Sequence, residues 1–261
     1  MSLKLTILGC HSATPRLNAN PTAQFLEIKN QNPGLIILDN LESQILELVV
    51  NENPSINKAN KAITDLAEQK KREYSEKKKA VWIYYPWRNS IVRILDKADF
   101  KFLRTVRNQY KITPREQNIL EQKKVGVIGL SVGHAAVMNI IQEGQCGEIR
   151  IADFDALDIS NLNRIRTSLL NQGLKKTVLT EREILELDPF ITVTRFDDGI
   201  SEDNIDKFIL ENGVLDLIIE ECDDIAIKFL VREGAKKFGI PVIMETSDRG
   251  MLDVERYDID K

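Results

Sequence analysis

The sequence predicts an α/β protein whose main part is a doubly wound, mainly parallel sheet, with a smaller α+β appendage at its N-terminal side. Three observations carry this expectation. Short runs rich in Val and Ile recur at 125–128, 149–152, 191–196, 214–219 and 240–244, as expected for strands buried on both faces. Helix-length amphipathic stretches separate them at 134–141, 201–210 and 225–238, and a further one follows Lys176 and stops before Asp188-Pro189. Gly129-Leu130-Ser131-Val132-Gly133 breaks sharply between the first strand and the first helix. Strands alternating with helices in this way form parallel sheets. A last short strand is expected within 251–257.

Ahead of that region the elements are read in order. Residues 35–52 begin as a strand or helix start and continue as an amphipathic helix with Leu41, Ile45, Leu48 and Val49 on one face. The Lys/Glu-crowded run 57–79 reads as a solvated helix, because acids interleave with the bases. Residues 80–87 and 90–95 form a strand pair, and 96–110 return to helix. Thr113-Pro114-Arg115-Glu116 is a capping box with proline at the first helical position. The expected domains are a hairpin or fusion segment at 1–30, a helical and hairpin region at 31–112, and a nucleotide-binding domain at 113–261 with a truncated C-terminus.

The chemistry concentrates between Val125 and Asp224. A small-residue turn at a helix N-terminus presents N–H groups and partial positive charge, which suits phosphate. Gly129, Ser131 and Gly133 supply that turn. Asp153 closes the second strand, where a carboxylate accepts from ribose hydroxyls. Ser160-Asn161-Leu162-Asn163-Arg164 then places hydrogen-bonding side chains and a cation at the carboxyl edge of the sheet, where open α/β sheets bind ligands. Gly173 and Lys176 open the next helix, and Glu221-Cys222-Asp223-Asp224 leaves a later strand.

From residue 104 onward these motifs resemble the ThiF/MoeB/HesA superfamily of ubiquitin-activating-enzyme-like adenylyltransferases. The specific parts are the run 153–164, Gly173 with Lys176, Asp188-Pro189, and the acidic pair Glu221 and Asp224. The resemblance implies a Rossmann-like adenylation domain, with ATP and Mg2+ as cofactors and a carboxylate activated as acyl-adenylate with release of pyrophosphate. It implies that Asp153 holds the ribose, Asn161 and Arg164 the phosphates, Lys176 the triphosphate and Asp224 the metal. Arg107 would reach into the partner's site of a homodimer. The acyl group would be the C-terminus of a ubiquitin-like or sulfur-carrier protein. The order of motifs is similar to that of a bacterial group fused to a nitroreductase-like flavin domain.

This sequence departs from the family's GxGGxG loop: Ser131 and Val132 stand where glycines are usual, and Gly133 comes one position early. A Cβ at 132 restricts positive φ, so the loop takes another path or binds ATP less well. Two alternatives therefore stay open, a NAD-binding Rossmann domain and a non-catalytic nucleotide-binding or dimerisation domain of a larger flavoprotein.

Other chemistries are excluded on residue inventory. Residues 3–28 resemble the opening hairpin of ribonuclease Z and its metallo-β-lactamase relatives, yet two histidines in the whole chain cannot build a two-metal centre. Residues 129–133 also read as GxSxG, but no histidine follows His134 to serve as base. His134 is read as a helix N-terminal residue near the phosphates. Cys10, Cys146 and Cys222 are too scattered for a zinc site and fit a reducing cytoplasm, and Cys222 reads as a packed small residue. With 36 Lys and Arg against 40 Asp and Glu, no nucleic-acid partner is favoured, and no apolar run reaches membrane length.

Overall fold

The computed structural model describes residues 4–7, 27–245 and 250–259. The chain divides into two compact units, Met1–Gln109 and Tyr110–Lys261.

In the first unit, strands β1 (Lys4–Ile7), β2 (Ile36–Asp39), β3 (Val81–Tyr85) and β4 (Ser90–Ile94) form one sheet in the order β1-β3-β4-β2. The central pair β3–β4 is antiparallel, and each outer strand is parallel to its neighbour. Asn89, at φ 45°, turns the hairpin after the short 3-10 turn Pro86–Arg88. Helix α1 (Leu41–Glu52) buries Leu41, Ile45, Leu48 and Val49, the face read from the sequence.

Three readings of this region are corrected. The Lys/Glu-rich segment is helix α2 (Lys61–Glu76), but it is not solvated all round. Ile63, Ala67 and Tyr74 are buried on one side, while Lys70 and Lys71 pair with Glu52 and Glu42 of α1. The apolar stripe is thin and the charges around it mask its period. Residues 96–110 split into α3 (Lys97–Thr105) and a tighter 3-10 turn, Val106–Tyr110. At the N-terminus, Lys4–Ile7 pairs with β3 and residues 27–31, at the end of the expected hairpin, are helical; the rest of that hairpin lies outside the described residues.

The second unit begins with α4 (Pro114–Leu120), whose Thr113–Glu116 capping box is formed on both sides. Its sheet runs in the order β10-β9-β8-β5-β6-β7. The strands are β5 (Lys124–Ile128), β6 (Glu148–Ala152), β7 (Thr192–Phe196), β8 (Leu217–Glu220), β9 (Val242–Glu245) and β10 (Leu252–Glu255). All pairs are parallel except β9–β10. Between them lie α5 (Gly133–Glu143), α6 (Lys176–Leu187), α7 (Ile205–Leu210) and α8 (Ile225–Phe238). Helix α5 packs beside α6, and α7 beside α8.

Two apolar cores flank the sheet: Val127, Val137, Ile149, Ile151 and Ile184 belong to one, and Phe208, Ile218, Val231 and Val242 to the other. Two-sided burial is why residues 125–128 of β5 read as an unbroken apolar run. Helix α7 starts later than expected, because the Ser201 N–H donates to Asn204 Oδ1 and Asn204 Nδ2 donates to the Gly199 carbonyl, closing a turn first.

A charge lies inside this core. Arg150, in the middle of β6, is 0% exposed. It donates to Glu148 Oε1 at 2.9 and 3.0 Å and to the carbonyls of Phe208 and Gly213, each at 2.6 Å. Each of its three nitrogens has a partner, which is the condition for burying a guanidinium.

The strand order reverses between β5 and β8, and the loops leaving these two strands separate there. Such a switch point is where open α/β sheets form their crevice.

Candidate nucleotide site

At that switch point lies a cavity of about 440 Å³. It is lined by Gly129 and Ser131 after β5, by Asp153, Phe154 and Asp155 after β6, by Lys176, and by residues 221–224 after β8.

Gly129 is required by its surroundings. Its φ is +84°, and a Cβ there would stand 2.8 Å from the Glu221 carbonyl. Val132 does not need the freedom of glycine. It sits in the right-handed helical region at φ −81°, ψ −43°, so the shortened loop turns straight into α5 without left-handed backbone beyond Gly129. At Gly133 a Cβ would come within 3.0 Å of Val127 Cγ1, which ties the start of α5 to the sheet. No side chain caps this helix, so its first N–H groups remain suited to an anionic ligand.

Asp153 braces the loop. Its Oδ2 accepts from the Leu130 N–H at 2.7 Å and its Oδ1 from the Asp155 N–H at 2.8 Å. Lys176 is the first residue of α6, where the helix dipole disfavours a cation. Its side chain is nevertheless 4% exposed, held 2.7 Å from Asp155, 3.7 Å from Asp153 and 3.3 Å from Ser131 Oγ. Two carboxylates offset the cost of burying that ammonium group and aim it at the cavity.

The opposite wall is acidic. Burial, then the negative charges of Glu245 and Glu220, raise the Glu221 carboxyl above its ordinary pKa, against a hydrogen bond from the Glu245 N–H. The Cys222 thiol is pushed up to about 12, first by burial and then by Glu220. Asp224 Oδ1 accepts from the Ala226 and Ile227 N–H groups and so caps α8, while Asp223 lines the cavity beside it.

Of the residues singled out in the sequence, Gly129, Ser131, Asp153, Lys176 and Asp224 meet at this cavity, and Gly133 opens the helix behind it. Asn161 and Arg164 do not line it. Asn161 is buried, its Oδ1 accepting from the Asp158 N–H to close the turn Ile159–Asn161. Arg164 is exposed and donates to the Ser160 carbonyl and to Asn163 Oδ1. Arg107 lies on the exposed side of a 3-10 turn in the first unit. His134 is on the first turn of α5, but its ring points to Glu183 of α6. Sequence reasoning gave no role to Phe154, Asp155 or Asp223, and Glu221, named only as half of the acidic pair, lines the cavity as well. The signal for Asp155 was present, a second aspartate two residues after Asp153 in the same turn.

The ThiF family pattern matches residues 104–249, more than half of the chain. The chain belongs to the ThiF family. Protein MT1398 of Mycobacterium tuberculosis is 44% identical over 196 residues, which cover 75% of this chain and 26% of that protein. The tRNA threonylcarbamoyladenosine dehydratase 2 of Saccharomyces cerevisiae is 32% identical over 126 residues, covering 48% of this chain and 28% of the yeast protein. The chain thus spans between a quarter and a third of the length of these two relatives. The crystal structure of the Escherichia coli tRNA N6-threonylcarbamoyladenosine dehydratase TcdA in complex with ATP superposes with a TM-score of 0.53 at 22% identity, covering 58% of this chain and 62% of TcdA. That likeness shows a shared Rossmann-like ThiF fold.

Proposed function

We propose that this ThiF-family chain binds ATP at the β5/β8 crevice and transfers its adenylyl group to a carboxylate oxygen. The buried Lys176 carries the reading. A lysine held at the positive end of one helix, 3.3 Å from Ser131 on the loop that leads into the uncapped start of another, has a use with a polyanion and little with a neutral ligand. In the reaction the acceptor oxygen attacks the α-phosphorus, the bond to the bridging oxygen breaks, and pyrophosphate leaves. Negative charge grows on the phosphate oxygens. Lys176 and the N–H groups at the start of α5 stabilise it, and Asp153 holds both the loop and the ribose.

Asp223 and Asp224 fit a magnesium ion bound by one or two carboxylates together with substrate phosphates, although no cluster of three or more metal-ligating side chains exists among the described residues. When bound, such an ion neutralises phosphate charge. Asn161 and Arg164 join the phosphates if the turn that carries them moves over the cavity, and Arg107 acts from a second subunit. An acceptor on a small carrier protein is in keeping with a Bacillus subtilis relative, 25% identical, named for adenylylating the sulfur carrier ThiS.

Calorimetric titration with Mg-ATP, adenosine and NAD tests the reading. Lys176→Met weakens ATP by about 10- to 150-fold, the equivalent of a lost charged hydrogen bond of roughly 1.5–3 kcal/mol, and leaves adenosine unaffected. Unchanged ATP affinity in that variant, or NAD binding more tightly than ATP, overturns it.

A further inference from the structure

One side chain outside the cavity joins α5, α6 and the crossover between β6 and α6. Glu183 lies on α6 seven residues after Lys176, about two helical turns along, so the two project from nearby positions on the helix. Its Oε2 is 2.7 Å from Nε2 of His134, a residue 2% exposed on the first turn of α5. Its Oε1 accepts from Thr167 Oγ1 at 2.7 Å, and that oxygen accepts in turn from Asn171 Nδ2 at 2.9 Å. Thr167 is three residues beyond Arg164, on the crossover between β6 and α6 that also carries Asn161.

The carboxylate therefore links the helix that starts at the glycine loop, the helix that starts at Lys176, and the segment of Asn161 and Arg164. Its contacts do not resemble those of a surface charge. Among the described residues Glu183 pairs with no lysine or arginine; its two oxygens go to the His134 ring and the Thr167 hydroxyl on other elements. An aliphatic residue would pack α5 against α6 as readily, but it would leave their sliding and the pose of the crossover unspecified. Directional bonds to two separate elements fix both.

We propose that Glu183 is a positioning residue of the nucleotide site, setting the distance between the start of α5, Lys176 and the crossover, and thereby the binding of phosphates as opposed to the nucleoside. The proposal rests on the ATP reading above. Its signature is a loss that grows with phosphate number, because α5 and α6 begin at the glycine loop and at Lys176, the groups assigned to the phosphates.

The test is calorimetric titration of adenosine, AMP, ADP and Mg-ATP into the parent, Glu183→Leu, Glu183→Gln, Thr167→Val and Lys176→Met, with circular dichroism confirming each fold. In Glu183→Leu and Thr167→Val, adenosine affinity stays at the parent value and the loss rises along the series to about tenfold or more for ATP, the equivalent of one lost hydrogen bond. Glu183→Gln keeps the series, since its amide oxygen accepts from Thr167 and its N–H donates to a neutral imidazole nitrogen. An equal loss for all four ligands, or no loss in folded variants, overturns the role of Glu183. Thr167→Val on the partly exposed crossover decides the matter if Glu183→Leu does not fold. A parent that binds no ATP, or a Lys176→Met protein that binds it as the parent does, overturns the ATP site and this proposal with it. A parent that binds, a Lys176→Met that does not, and flat series elsewhere overturn the positioning role alone.

Discussion

Gly129→Ala is the perturbation whose size the structure states most directly. At φ +84° an alanine is forced into left-handed backbone, at about 1–2 kcal/mol. The new methyl would also stand 2.8 Å from the carbonyl carbon and oxygen of Glu221 and 2.9 Å from the Cys222 nitrogen. These are main-chain atoms leaving a central strand, so no side-chain rotation relieves the contact. Overpacking of this kind adds about 1–3 kcal/mol. Together the two effects amount to about 2–5 kcal/mol. For a unit of roughly 150 residues, that lowers the melting temperature by about 5–20 °C. Both tryptophans, Trp82 and Trp87, lie in the first unit, so their fluorescence does not report on this change. Hydrogen–deuterium exchange of peptides covering β5 and β8, together with calorimetric melting, does. ATP affinity falls in parallel, because the clash drives apart the two loops that frame the cavity. A variant with the parent's melting profile and exchange pattern would refute the close approach on which this reasoning stands.

Two further changes test separate parts of the structure. Arg150→Met leaves Glu148 without its guanidinium partner and the carbonyls of Phe208, which is buried, and Gly213 without this donor, so urea denaturation shows a loss of about 3–5 kcal/mol, and a loss well below 1 kcal/mol would mean that water or Lys124 replaces the arginine. Cys222, with its thiol pushed up to about 12 by burial and then by Glu220, carries about three orders of magnitude less thiolate at pH 8 than a free cysteine of pKa ~8.5. Iodoacetamide mapping therefore finds Cys222 unlabelled in the folded protein and labelled in urea, and rapid labelling of the folded form would contradict the burial.

Much of the second unit was legible because its signals are local. The run 125–128 has no reason to be so apolar except burial on both faces, and β5 is buried as that implies. Helix α8 spans the residues its period predicts, and the Thr113 capping box forms as written. Asp224 shows how two readings of one residue coexist: an aspartate just ahead of an apolar helix is an N-cap before it is anything else, and the structure uses it so. What escaped depends on partners far along the chain. Nothing near Glu183 announces that His134 and Thr167 converge on it, because 3.6-residue periodicity describes one helix and not its neighbours. Arg150 was hidden in a β-branched run, and its only local hint is Glu148 two residues earlier on the same face of the strand. The loop departs from the family pattern in composition, and Val132 is accommodated because a residue in right-handed helical space does not have to be glycine.

The sheet of the first unit has a consequence for how the chain acquires its shape. Only β3 and β4 are neighbours in sequence, whereas β1 pairs Lys4 with Val81 and β2 pairs Ile36 with Ser90. Closing each of those outer pairs means confining a long stretch of chain before any ladder bond rewards it, which makes remote parallel pairing the slow part of folding. The hairpin is therefore the seed and the two rims are late additions. During synthesis β1 leaves the ribosome well ahead of β3, its template, and can pair only after Tyr84 has followed.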